Sequence, residues 1–144
     1  MKTHQKTGIL LLNLGGPQRL EDVRPFLVNL FSDRQIIRLG PAFLQKTIAR
    51  FIAWRRAPKS MGNYRRIGGG SPILEKTREQ ARALEAALAG DGDFVARPCM
   101  RYWHPFAGQV LHEMAAAEVG DLIALPLYPH YSIATTGSSL ADLH

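Results

Sequence analysis

One cysteine, Cys99, stands among the 144 residues. An internal disulfide is excluded, as is a structural zinc site built on several thiolates, and a lone thiol fits a reducing compartment. No apolar run approaches the ~18 residues that a membrane span needs. Met1 to Lys6, which includes His4, is basic, but the apolar stretch behind it ends at Asn13-Leu14-Gly15-Gly16-Pro17. That pattern is a strand and a turn rather than a signal peptide. Several signatures are missing as well. There is no H-E-x-x-H, no G-x-G-x-x-G, no G-K-[ST] ending and no G-x-S-x-G elbow. The expected marks of a zinc protease, a dinucleotide site, a P-loop and an α/β-hydrolase nucleophile are therefore absent. Acid is missing from one long stretch. Arg34 to Arg66 carries nine Lys or Arg and no Asp or Glu.

What is present describes a folded domain. The chain is 46% hydrophobic and 21% charged, with a net charge of +6. That apolar fraction supports a core and excludes disorder as the main state. Gly8 to Leu14 is a continuous apolar run, the mark of a strand buried on both faces of a parallel sheet. Leu20 to Phe31 has helical apolar spacing, with Glu21 and Asp22 at the positive end of its dipole. Pro41 to Trp54 is a second helical stretch, with Leu44, Ile48, Phe51 and Ile52 on one side. Pro58 to Pro72 reads as a loop. Ser71 and Pro72 then open a helix whose buried face is Leu74, Thr77, Ala81, Leu84 and Leu88. Phe94 to Met100 reads as a strand, Pro105 to Val119 as a helix and Leu122 to Leu125 as a short buried strand. A further helix starts near Thr136.

Buried strands alternating with amphipathic helices argue a doubly wound α/β lobe, a parallel sheet flanked by helices. Three strands leave edges uncovered. The expectation is an N-terminal piece of something longer, incomplete at its C-terminus; the alternative is a small domain that covers itself by dimerising. Ligands of such sheets bind beyond the carboxyl ends of the strands. Asn13 to Pro17, Met100 to Pro105 and Pro126 to Gly137 are therefore the candidate site loops.

The basic stretch has Phe43, Phe51, Trp54 and Tyr64 interleaved. Such a segment suits an anionic membrane surface or an acidic aromatic small molecule, or is simply a solvated helix. No nucleic-acid-binding signature accompanies it. The composition predicts a mobile lip at about 41–57 whose apolar residues stay partly exposed. The competing expectation buries Phe43, Leu44, Ile48 and Phe51 against the sheet. Gly15-Gly16-Pro17 reads as a sharp turn, either under a flat ligand or alone. Gly68-Gly69-Gly70-Ser71 could hold a carboxylate at a helix start, or be a linker and an N-cap. His104 and His130 lie in candidate site loops, and His112 reads as an exposed helix residue.

Four segments together resemble the ferrochelatase family. They are Gly8 to Pro17; Phe51 to Lys59 leading into Tyr64 to Ile73; Arg101-Tyr102-Trp103-His104-Pro105; and Leu125 to Ser132 with Thr135 to Ser139. The resemblance covers the whole chain, residues 1–144, as the N-terminal lobe of a two-lobed chelatase. It implies insertion of ferrous iron into protoporphyrin IX in heme biosynthesis, in the cytoplasm or at a membrane surface. It implies that Arg56, Tyr64 and Ser71 contact the porphyrin, with Leu14 and Arg101 in the pocket wall. The family's metal-handling histidine and its acidic partner fall in a later part. No catalytic or metal-ligating residue is thus expected here, and the isolated chain is expected to be inactive without the C-terminal lobe. Ile133 stands where some members carry a cluster-binding cysteine, so no iron–sulfur cluster is expected. Two other functions fit: a stand-alone porphyrin or heme carrier, and a half-size chelatase acting as a homodimer.

Overall fold

The computed structural model describes residues 5–144; His4 and the rest of the first four residues lie outside the described residues. In chain order the elements are β1 (Thr7–Asn13), α1 (Val23–Ser32), α2 (Gln45–Arg66), α3 (Ile73–Leu88), β2 (Phe94–Met100), α4 (Ala107–Ala116), β3 (Asp121–Pro126) and α5 (Ser138–Ala141). Short 3-10 turns precede α1 and α2, and a π-turn at Ile133–Gly137 leads into α5. The sheet is parallel, in the order β2-β1-β3, with Leu10 level with Arg97 on one side and Ala124 on the other.

The apolar run of β1 does what its composition predicts. Leu10 and Leu12 pack with Val110 and Met114 of α4, while Ile9 and Leu11 pack with Ala81 of α3. The strand is thus covered on both faces, which gives the doubly wound lobe. A third cluster sits beyond the carboxyl ends of the strands. There Val23, Phe26 and Leu27 of α1 meet Ala53 and Ala57 of α2 over the buried Tyr102.

Helix α2 corrects the sequence reading twice. It does not give way to a loop at Pro58 but continues through that proline to Arg66, a length of 22 residues. An interior proline forfeits a backbone bond and normally costs about 3 kcal/mol. Packing carries the helix past it, because Met61 and Tyr64 join the same cluster as Ala53 and Ala57. The inward face also differs from the expected Leu44, Ile48, Phe51 and Ile52. The buried stripe is Gln45, Ala49, Ala53 and Ala57, and its three alanines let two helices approach closely. The large side chains are left outside, with Phe43 81%, Phe51 60% and Trp54 56% exposed. A helix packed on the sheet through Phe43, Leu44 and Phe51 is therefore excluded.

The two outer strands are unlike each other. Strand β3 was expected to be buried, yet Leu122, Ile123 and Leu125 are exposed. An apolar run signals a strand that can be covered; here Ala124 packs against the α4 cluster, and the described residues leave Leu122, Ile123 and Leu125 largely open. Strand β2 is closed along its outer edge. The Ala96 N–H donates to Glu85 Oε1 at 2.7 Å, Pro98 has no N–H, and the Met100 N–H donates to the Pro105 carbonyl at 2.8 Å.

Candidate functional site

Two of the three candidate loops are stitched together at the carboxyl end of the sheet. The Arg101 and Tyr102 amides donate to the Asn13 and Leu14 carbonyls, each at 3.0 Å. The glycine turn after β1 is shaped by these neighbours. Gly15 has φ +83°, and a Cβ there would lie 3.1 Å from Met100 Cβ; a Cβ on Gly16 would lie 2.6 Å from the Ser71 side chain. Any side chain at position 16 would push Ser71 away, so the double glycine sets the distance between β1 and the start of α3.

The turn sets Ser71 against Gly16, Leu14 and Tyr64 pack on one buried cluster, and Arg56 reaches that cluster's edge through Phe31. Leu14 and Tyr64 pack into the α1–α2 cluster beside Trp103, and burial raises the Tyr64 phenol above its ordinary pKa. The Ser71 amide donates to the Pro17 carbonyl at 2.7 Å, and its Oγ accepts from the Ile73 N–H at 3.3 Å. The Ser71 hydroxyl proton is left for another acceptor. Arg56 is exposed, stands 5.7 Å above the Phe31 ring and has no ion pair among the described residues. A free guanidinium beside an aromatic ledge can take a carboxylate bidentately.

Arg101 is held differently. Its Nε–H donates to Ser138 Oγ at 2.8 Å, Nη2 to Asp33 Oδ2 at 3.1 Å, and Nη1 faces Asp142 Oδ1 at 3.4 Å. Each of its three nitrogens is thus turned to a partner in this network, unlike those of Arg56. Asp33 Oδ2 also accepts from the Tyr102 hydroxyl at 2.6 Å and the Ser138 hydroxyl at 2.8 Å. Burial pushes the Asp33 carboxyl up, but bonds from Tyr102, Gln35 and Ser138 and the charge of Arg101 outweigh it and leave the pKa lowered. The stability it contributes is present above its unfolded value and is lost as pH falls through the lowered folded value. Burial, aided by the bond to Asp33, raises the Tyr102 phenol, so Tyr102 stays a neutral donor.

The sequence singles out the segment holding Ser138 but gives no sign of Asp33 or of their bond. They lie 105 residues apart, and no local spacing links them. The histidines stand outside this network. His104 is exposed, with Nδ1 2.8 Å from Gln109 Oε1 and its ring against Trp103 and Phe106; His112 and His130 are exposed too. No group of three or more His, Cys, Asp or Glu among the described residues is arranged to hold a metal ion. Cys99 is buried, and that burial pushes its thiol up to about 11, which makes it inert.

Known proteins are similar to this chain in sequence. The family model described as Ferrochelatase matches residues 6–144. The ferrochelatase of Desulfotalea psychrophila is 56% identical over 96% of this chain and 43% of its own length. That of Thermosynechococcus vestitus is 55% identical over 93% of this chain and 35% of its own length. That of Geotalea uraniireducens is 54% identical over 96% and 43%. The chain thus spans less than half the length of these curated relatives. With motifs, fold and relatives in agreement over its whole described length, the chain belongs to the ferrochelatase family.

Proposed function

We propose that this chain is the porphyrin-binding N-terminal lobe of an enzyme that inserts ferrous iron into protoporphyrin IX. The observation that carries this reading is that Leu14, Tyr64 and Trp103 all pack on the one α1–α2 cluster, whose Phe31 carries the unpaired Arg56 guanidinium, while Ser71 abuts Gly16. Protoporphyrin is a flat apolar ring bearing two propionates. Leu14 and Tyr64 offer a surface for the ring, Arg56 a cation and Ser71 a donor at a helix start. Arg101 braces the wall. In the complete enzyme two pyrrole protons leave as iron enters, with a histidine of the later part as the base. Iron is substrate here, not a resident cofactor, and a cluster held by Cys99 is no part of this reading.

Arg56→Ala is the direct test. It should weaken binding of the porphyrin diacid by roughly 1.5–3 kcal/mol, the range for a hydrogen bond to a charged group. A porphyrin diester cannot form that pair and should bind wild type and variant alike in a fluorescence titration. Equal losses for diacid and diester would remove Arg56 from the propionate role. The homodimer reading makes a different demand, a sedimenting dimer that itself inserts metal.

The lip adds a surface to the function. No helix of the described residues is long and apolar enough to cross a membrane. Phe43, Phe51 and Trp54 nonetheless face outward among Lys46, Arg50 and Arg55, with Phe51 and Trp54 rings 6.1 Å apart. This face suits shallow contact with an anionic bilayer, where each basic residue contributes about 1 kcal/mol. Cosedimentation with vesicles containing phosphatidylglycerol should fall as salt rises. Binding indifferent to both headgroup charge and salt would count against surface association.

A further inference from the structure

We infer that Asp33 is a positioning residue whose carboxylate holds the Arg101–Tyr102 wall and the root of the lip as one unit, and thereby sets how well the site engages a porphyrin ring. The inference rests on the porphyrin reading above and adds a residue to which that reading assigns nothing. It starts from convergence. Asp33 follows the last residue of α1, and its side chain is only 9% exposed. Oδ2 gathers the Tyr102 hydroxyl, the Ser138 hydroxyl and Arg101 Nη2, while Oδ1 accepts the Gln35 N–H at 2.7 Å. One carboxylate therefore ties down the β2–α4 turn, the start of α5 and the first residues leading to the lip.

The neighbouring bonds give this tie its reach. Asn29 Nδ2 donates to the Tyr102 carbonyl at 3.1 Å, a second strut between α1 and the wall. Phe31, two residues before Asp33, carries the Arg56 guanidinium over its ring. The Asp33 backbone carbonyl accepts from Ile36 and Ile37, which turns the chain toward the lip. Wall, ledge and lip root thus share one anchor. An open cavity of about 410 Å³ bounded by Asn29, Ser32, Asp33, Arg101, Tyr102 and Phe106 lies over it, so the anchor forms a floor rather than sitting deep in the core.

Asparagine at position 33 keeps the shape and separates charge from size. Tyr102 and Ser138 can reverse their hydroxyls toward an amide, but Arg101 can only donate and loses its charged partner. Asp33→Asn is to be compared with wild type and with Asp91→Asn, the same chemical change in an exposed turn. Two measurements are needed: hydrogen exchange followed by mass spectrometry, and titration with porphyrin diacid and diester. The expected result is faster exchange confined to about residues 34–44 and 100–104, with β1, α3 and α4 unchanged. Affinity should fall about tenfold, equivalent to one charged hydrogen bond, and equally for diacid and diester, because Asp33 acts through the wall and not on a propionate. Asp91→Asn should change neither.

Three results would overturn the inference: exchange raised uniformly over the chain, which is mere loss of stability; loosening of only one of the two segments; or coupled loosening with unaltered porphyrin affinity. A wild-type chain that binds neither porphyrin would instead refute the porphyrin reading and, with it, the role assigned to Asp33 in ring binding. The exchange pattern would still decide whether Asp33 couples the two segments.

Discussion

Mixed with protoporphyrin IX and ferrous iron, or zinc as an air-stable surrogate, the purified 144-residue chain is expected to insert no metal above the uncatalysed rate. The expectation comes from what insertion demands. Two pyrrole protons must be taken by a base facing the ring, a role worth roughly 10²–10⁴ in rate, and the metal must be delivered along the same axis. The residues proposed for the ring are Leu14, Tyr64, Ser71 and Arg56, with Trp103 on the same cluster as Leu14 and Tyr64, and none of them is a base suited to taking pyrrole protons. His104 is turned to Gln109, Trp103 and Phe106, and His130 is exposed in the loop after β3. Absorbance at the metalloporphyrin bands would follow the reaction. Turnover by the chain alone would overturn the division of labour proposed here and favour the half-size chelatase. Activity restored by adding the C-terminal part of the Desulfotalea psychrophila relative would support it.

Gln45→Leu should unfold the chain more easily by about 2–4 kcal/mol, the cost of leaving several buried polar groups without partners. Gln45 is 2% exposed and its amide is fully used. Nε2 donates to the Phe31 and Ile37 carbonyls, each at 2.9 Å. Oε1 accepts from the Leu39 N–H at 2.9 Å and from Arg34 Nη1 at 3.4 Å. Leucine fills the same space but offers none of these bonds. Urea denaturation of Gln45→Leu, with the exposed Gln80→Leu as control, measures the difference; surface changes of that kind stay within about 0.5 kcal/mol. A loss as small as the control's would mean that water replaces the amide and that the lip root is looser than its hydrogen bonds imply.

The parts of the fold legible in the sequence were those specified locally. The apolar run of β1, the Ser71-Pro72 start before α3 and the 94–100 strand each carried a period or a punctuation mark that nothing distant contradicts. Pro58 misled because a proline is a local signal, whereas the packing of Ala53, Ala57, Met61 and Tyr64 on α1 is tertiary. The alanines at every fourth position, Ala49, Ala53 and Ala57, carry the signal for the inward face, which the larger residues mask. Leu122 to Leu125 misled in the opposite sense, since hydrophobicity states that a strand can be covered but not what covers it. For the proposed site, Leu14, Arg56, Tyr64 and Ser71 come from family motifs. Asp33 does not, because its partners Arg101 and Ser138 are 68 and 105 residues away. A hub of that kind is written in three dimensions only.

The sealed outer edge of β2 has a consequence for how copies of the chain can associate. A sheet open at both flanks is a template for endless stacking, since each added strand exposes a fresh edge. Here the Glu85 carboxylate, the missing amide of Pro98 and the Met100–Pro105 bond terminate one flank. Among the described residues β3 is the more open flank. If two copies meet there about a two-fold axis, each spends that edge on the other, and the joined sheet ends in two sealed β2 strands. Among the described residues, pairing of copies through β3 would thus join two sheets and end on the blunted β2 edges rather than grow strand by strand.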